Sequence, residues 1–123
     1  MAATKSGTAK NLFNAQTVTA GAGVGSVVSG LQTLTTAYGS LVMGEIVNDG
    51  TALGAGCTAQ LLGSNDGTKF YTLGQIAGGT AASTTYPFSF GVAAPIQYCE
   101  LALGGPTTHG VTVTADITNL TGI

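Results

Sequence analysis

Charged side chains are scarce in this sequence. They make up 7% of its 123 residues, whereas soluble domains usually carry about 25%. Arg is absent, and the three cations are Lys5, Lys10 and Lys69. Three lysines cannot form the phosphate-neutralising patch that nucleic-acid binding requires, so we expect no nucleic-acid partner. An isolated soluble monomer generally keeps more charge, which favours a component of a larger assembly.

Long apolar runs are also missing. A membrane helix needs about 20 consecutive apolar residues, and here Gly and Thr interrupt every apolar stretch. Residues 1–11 contain Lys5 and Lys10 but lack the apolar core of an export signal. We therefore expect no membrane partner, synthesis in the cytoplasm without Sec export, and reduced thiols at Cys57 and Cys99.

What the sequence does have is a two-residue alternation separated by turn residues. Cys57, Ala59 and Leu61 fall on one face of an extended segment, ahead of the reverse-turn sequence at residues 64–68 (SNDGT). With the return segment, this pattern predicts a β-hairpin over residues 57–76. No helical periodicity is present, so the sequence predicts an all-β protein.

Further strands are predicted along the chain. Tyr86, Phe88 and Phe90 share a face of residues 85–92, and Pro87 predicts an edge strand or a bulge there because it lacks an N–H. About eight short strands with Gly, Pro, Asn and Asp between them indicate a two-sheet antiparallel β-sandwich, with a jelly-roll topology favoured. The other predicted strands are residues 41–48, 96–103 and 110–120.

The first residues of the chain form a separate case. Residues 1–16 are polar apart from Leu12 and Phe13, and we interpret them as an extended N-terminal arm preceding a sandwich domain at residues 17–123. Two readings stay open: a frayed terminus, or a docking arm anchored by Leu12 and Phe13 on a neighbouring protein.

Groups that could carry chemistry are few. His109, the only histidine, could in principle pair with Cys57 or Cys99, but both cysteines occupy inward-facing strand positions. Asp49 and Asp66 lie in turns. Glu45 and Glu100 lie on strands and could meet as an acid and a base, although outward solvated positions are the more usual case. We therefore predict no enzyme activity, no metal site and no cofactor.

The aromatic residues allow two interpretations. Without Trp, a sugar-stacking platform would be weak, whereas phenylalanines in a core and tyrosines at a protein interface suit the pattern better. The aromatic residues to which these interpretations apply are Phe70, Tyr71, Tyr86, Phe88, Phe90 and Tyr98. The candidate contact residues are Leu12, Phe13, Tyr38, Tyr86 and Tyr98.

Residues 14–120 resemble a group of small bacteriophage virion proteins, of the capsid-decoration or head-fibre type. The hairpin at residues 62–71 (LGSNDGTKFY) is the most specific part. Phe70 stands where the group often has Trp, and Glu100 where it often has Arg. The other matching segments are residues 14–23 (NAQTVTAGAG), 34–39 (LTTAYG), 47–52 (VNDGTA) and 97–102 (QYCELA).

The resemblance implies a β-sandwich on the outer surface of a virion capsid. Such a protein decorates and stabilises the shell by bridging neighbouring major capsid protein subunits, commonly as a homo-trimer. Two alternatives remain at this point. One is a tail or head-fibre module that binds host surface glycans. The other is a hydrolytic enzyme that uses Cys99 and His109.

Overall fold

A computed structural model describes residues 4–5 and 9–122 of the chain, and within them every regular element is a strand. The alternation of β-branched and apolar residues with Gly, Asn and Asp turns accounts for strand formation along the whole chain. The strands are β1 (Thr4–Lys5), β2 (Lys10–Val18), β3 (Val27–Val28), β4 (Gln32–Thr33), β5 (Ser40–Asn48), β6 (Thr58–Ser64), β7 (Tyr71–Ala77), β8 (Thr84–Val92), β9 (Tyr98–Gly104) and β10 (Val111–Gly122).

The strands form two antiparallel sheets. In sheet one the order is β2, β10, β5, β8. β1 lies on the same side of β10 as β2 and pairs with the last residues of β10. In sheet two, β3 and β4 lie along one side of β9, followed by β6 and β7. After β2 the chain crosses between the sheets at every connection except those from β3 to β4 and within the β6–β7 hairpin. This order, with two Greek keys, is the jelly-roll topology. The predicted all-β jelly-roll sandwich is confirmed.

The core lies between the two sheets and uses alternate residues of each central strand. Val113 and Ile117 of β10 face Leu101 and Leu103 of β9, and all four are at most 1% exposed. Burying side chains of this size removes them from water at a gain of about 1.5–3 kcal/mol each. The face predicted for residues 57–61 is confirmed as well, because Cys57, Ala59 and Leu61 are buried.

The predicted hairpin is formed by β6 and β7, and its turn is held by side chains. Asp66 Oδ1 accepts hydrogen bonds from the N–H groups of Thr68 and Lys69, each at 2.8 Å. These bonds keep both residues in the turn, so β7 begins at Tyr71 rather than at Lys69. Phe70 consequently precedes the strand. The carboxylate accepts several N–H donors, and this lowers the pKa of Asp66.

Of the two settings predicted for Pro87, an edge strand or a bulge, the structure has the edge strand. β8 is the last strand of sheet one and pairs only with β5 among the described residues, with Pro87 opposite Glu45. An edge is the place in a sheet where a missing N–H leaves no partner unsatisfied.

The expected N-terminal arm needs correction. β2 runs through the boundary expected at residue 16 and pairs with β10, so residues 10–16 belong to sheet one. Phe13 is 5% exposed and lies in the core of its own chain, opposite Ala115. Its role as a docking anchor is therefore wrong, since the ring is already buried. The arm residues 1–3 and 6–8 lie outside the described residues.

Candidate interaction surface

The outer face of sheet one carries exposed apolar side chains in the middle of a chain with little charge. Met43 on β5 is 59% exposed and Leu41 is 43% exposed. Their neighbours on β8 are small, because Leu41 lies opposite Gly91 and Met43 opposite Ser89. On the β8 side nothing large covers them, and both side chains stay exposed. Exposed apolar side chains grouped in this way usually mark a contact surface.

A groove of about 410 Å³ lies at this end of the face, between β5 and β10. Its wall is fixed by hydrogen bonds: the Tyr38 N–H donates to the Leu120 carbonyl at 2.6 Å, and the Leu120 N–H donates to the Gly39 carbonyl at 2.9 Å. The Ser40 hydroxyl lies 2.7 Å from Asn119 Oδ1. The groove is thus preformed. We call it the sheet-one groove; its lining is Gly39, Ser40, Leu41, Met43, Thr118, Asn119 and Leu120.

Polar groups on the same face are hydroxyls and two acids. Thr114 lies opposite Glu45, and Asp116 lies opposite Met43. Asp116 Oδ1 accepts a hydrogen bond of 2.8 Å from Asn11 Nδ2, which leaves its second oxygen available. A partner on this face would meet an apolar centre with hydroxyl groups and weak negative charge around it.

The five contact residues predicted from sequence do not form one surface. Tyr38 is half exposed and leads into the sheet-one groove through Gly39. Leu12 is partly buried and packs against the core. The Tyr86 hydroxyl accepts a hydrogen bond from the Ala81 N–H at 2.8 Å, so this side chain supports a loop. Phe13, in the core, and Tyr98, whose ring lies beside Gly67, complete the set.

Leu41, Met43 and Leu120 line the sheet-one groove and were not among the predicted contact residues. A signal for the first two was present, since residues 41–43 are apolar at three successive positions and a strand can bury only alternate ones on one core face. Val42 takes the buried position, which leaves Leu41 and Met43 outside. Leu120 gave no comparable signal, because its exposure depends on where β10 meets the loop at Tyr38.

The aromatic residues do not line up as a stacking platform on either outer face. Phe88 and Phe90 are buried in the core with their ring centroids 5.8 Å apart. The ring of Tyr98 lies 3.7 Å from the position of a Cβ at Gly67, which places it against the hairpin turn. Tyr71 is exposed, but on the edge strand β7.

The two cysteine thiols and the histidine ring have separate surroundings and are not hydrogen-bonded to one another. Both cysteines are buried and free, and burial raises the pKa of each to about 11, with the charge of Glu100 adding to the effect at Cys99. Both ring nitrogens of His109 lie 2.9 Å from backbone carbonyl oxygens, those of Gly110 and Thr51. Within the described part of the chain, no three His, Cys, Asp or Glu residues are grouped to hold a metal ion.

Comparison with known proteins shows the fold. A chain from the structure of infectious bursal disease virus, Gx strain, aligns over 94% of this chain with a TM-score of 0.57 and 16% identity, although this chain spans only 32% of it. The K3 adhesin domain of Lys-gingipain from Porphyromonas gingivalis aligns over 75% with a TM-score of 0.53 and 12% identity, and 62% of that domain is covered. This chain thus spans less than two thirds of both.

A third similar structure is matched along most of its length. The CBM22-1 xylan-binding domain of Paenibacillus barcinonensis Xyn10C aligns over 98% of this chain and 86% of its own, with a TM-score of 0.51 and 14% identity. No protein-family model and no curated protein matches the sequence. At these identities the likeness establishes the β-sandwich fold. The described residues include no helix of the length and apolarity needed to span a membrane.

Proposed function

We propose that this protein is a virion structural protein that decorates and stabilises a phage capsid by bridging neighbouring major capsid protein subunits. The observation that carries the proposal is the sheet-one groove, with Leu41 and Met43 exposed on a rigid outer face. In this proposal the outer capsid surface covers that face. The fold, which a chain of the infectious bursal disease virus structure shares, is compatible with this role.

The physical mechanism is multivalent contact without chemistry. One apolar side chain of this size contributes about 1.5–3 kcal/mol when it is fully covered. Many copies, each touching more than one capsid subunit, add these small contributions and raise the free energy needed to open the shell. A weakly charged surface suits this role because few charges have to be desolvated on contact.

A non-enzymatic role is part of the proposal. A nucleophilic cysteine needs a depressed pKa and an exposed setting, whereas burial raises the pKa of Cys57 and of Cys99 to about 11. The His109 ring nitrogens contact backbone carbonyls instead of a thiol. Burial of the two thiols and the backbone contacts of the His109 ring support a structural role for all three residues.

Glycan binding is the second candidate. It is favoured by the likeness to the xylan-binding domain, which covers most of both chains. The side chains favour it less, because sugar rings stack on exposed aromatic faces. Among the described residues, the aromatics that are at least half exposed are Tyr38, in the loop before β5, and Tyr71, on β7. A glycan array with the purified chain separates the two candidates: saturable sugar binding supports the second, and its absence removes it.

Rebinding to particles tests the capsid proposal. Particles that contain the chain are stripped of it, and purified protein is added back at increasing concentration. We expect binding to saturate at many copies per particle and the thermal opening of the shell to shift upward. A handful of copies per particle, or rebinding without any shift, would contradict a stabilising role.

A pair of charge variants tests the face. Met43→Lys places a cation in the apolar centre, and it should reduce binding to particles at least tenfold because the charge would have to be desolvated. Asn65→Lys, at an exposed position of the β6–β7 turn, is the matched control and should bind like the natural protein. Equal binding of both variants would remove the sheet-one groove as the attachment surface.

A further inference from the structure

β7 is an open edge of sheet two. Among the described residues, it pairs with β6 and with no other strand. Its sequence, YTLGQIA, contains no charged residue and no Pro. The side turned away from β6 presents backbone N–H and C=O groups, which is a ready template for another strand.

The other three sheet edges are obstructed. Pro87 interrupts the donor row of β8. Along β2, Lys10 is exposed, Ala15 has a φ of 48°, and the pairing with β10 shifts register twice. The opposite edge of sheet two consists of β3 and β4, with two residues each. These are the usual devices against edge-to-edge pairing, and β7 lacks them apart from one register shift towards β6.

We propose that β7 pairs antiparallel with β7 of a second copy of this chain, so that sheet two continues across a two-fold axis. In an antiparallel two-fold pair, residues near the axis lie close to their own symmetry copies, so a charge there would face a like charge. β7 has none. Its uncharged edge is therefore compatible with itself.

The centre of the strand also suits a two-fold axis. Gly74 is the fourth of the seven residues, and pairing of all seven places Gly74 opposite Gly74. Tyr71 then lies opposite Ala77, and Thr72 lies opposite Ile76. In each pair the larger side chain faces a smaller one. No side chain crowds the axis, and the backbones can approach to the ordinary distance of about 4.7–4.9 Å between strands.

Exposed apolar surface lies on the same edge. Tyr71 is 68% exposed, and Leu73 is 44% exposed and rests against Gly63. Together with Ile96 they border a small notch of about 180 Å³. The notch itself lies on the β6 side of β7, so a strand added to the open edge would cover part of the exposed Tyr71 and Leu73 side chains and not the notch. Hydrophobic cover therefore adds to the backbone hydrogen bonds.

The molar mass of the purified chain tests the proposal. Seven paired residues make a small interface, so we expect a monomer at about 10 µM and a dimer at about 1 mM, by sedimentation or light scattering. Amide hydrogen exchange at the two concentrations should slow in residues 71–77 and stay unchanged in β8. A monomer throughout overturns the proposal, and so does the trimer that the sequence resemblance implies.

Matched lysine variants assign the edge. Thr72→Lys adds a charge to β7 at an exposed position and should abolish the dimer, whereas Thr85→Lys makes the same change on β8 and should leave it intact. Loss of the dimer in both variants, or in neither, overturns the β7 assignment. Met43→Lys should still dimerise, so failure of the capsid proposal and failure of this one are distinguishable.

Discussion

His109 Nε2 lies 2.9 Å from the carbonyl oxygen of Thr51, and Nδ1 of the same ring lies 2.9 Å from the carbonyl oxygen of Gly110. A carbonyl can only accept, so only the doubly protonated ring donates to both. These two contacts, first that of Gly110 and then that of Thr51, raise the pKa of His109, and the charge of Asp49 adds to them. The ring therefore ties two loops together best as a cation.

Stability should accordingly depend on pH through His109. Because its pKa is raised above the ordinary 6.5 in the folded state, its contribution is complete below about pH 6.5 and is lost as the pH rises through the folded pKa. We expect the urea midpoint to fall in that window. His109→Gln, which cannot titrate, should remove this part of the pH dependence. A natural protein whose midpoint rises with pH over the same range would contradict the linkage.

Replacing Asn48 should cost much of the protein's stability, although the side chain is small. Its side chain is 1% exposed, and Nδ2 donates to the carbonyls of Thr51 and Ala81 at 3.0 and 2.9 Å. Oδ1 accepts from the Gly50 N–H at 3.1 Å. Asn48→Ala should lower the free energy of unfolding by about 2–3 kcal/mol, measured by urea denaturation. Asn48→Asp should be worse near neutral pH, because a carboxylate would face two carbonyl oxygens.

Gly44 is required by close packing across sheet one. A Cβ there would lie 2.6 Å from the Phe88 ring, 2.6 Å from the Thr114 carbonyl oxygen and 2.9 Å from Ala115 Cβ. Since backbone cannot move aside easily, Gly44→Ala should cost about 1–3 kcal/mol. Gly91→Ala, on the neighbouring strand β8 with no atom within 4 Å of the new Cβ, is the control. Equal melting temperatures for the two variants would show that the sheet accommodates the methyl group.

The cysteines should be inert while the protein is folded. With a pKa of about 11, each thiol is ionised to roughly one part in a thousand at pH 8, and burial blocks access as well. We expect a disulfide-exchange reagent to modify neither thiol in native protein and both in denaturant. Rapid modification of Cys99 without denaturant would reopen the thiol-based alternative.

Much of the fold could be predicted from local sequence patterns. The Asp66–Gly67 turn and the alternation of residues 57–61 sufficed for the β6–β7 hairpin, and Pro87 narrowed its strand to an edge or a bulge, of which the structure has the edge. β2 was missed because its alternation is broken: Ala15 has a φ of 48° and the register with β10 shifts twice. Leu12 and Phe13 then look like a single apolar pair on a polar tail, although Phe13 lies in the core.

The sheet-one groove was harder to predict than the fold. Tyr38 was predicted as a contact residue, but the groove beside it needs Leu120. That residue is 82 positions away in sequence and is positioned by hydrogen bonds to the 38–39 backbone. Whether Leu41 or Val42 faces the core depends on the neighbouring strands, since both are apolar. Such placements are long-range properties that a local window does not contain.

The position of β10 affects how the protein can be made. β2 and β5 both pair with β10 and not with each other, so β10 joins the two halves of sheet one. During synthesis, residues 10–18 leave the ribosome about a hundred residues before the strand that pairs with them. Sheet one therefore cannot close on the nascent chain until residues 111–122 emerge, and until then its apolar face needs shielding from other chains.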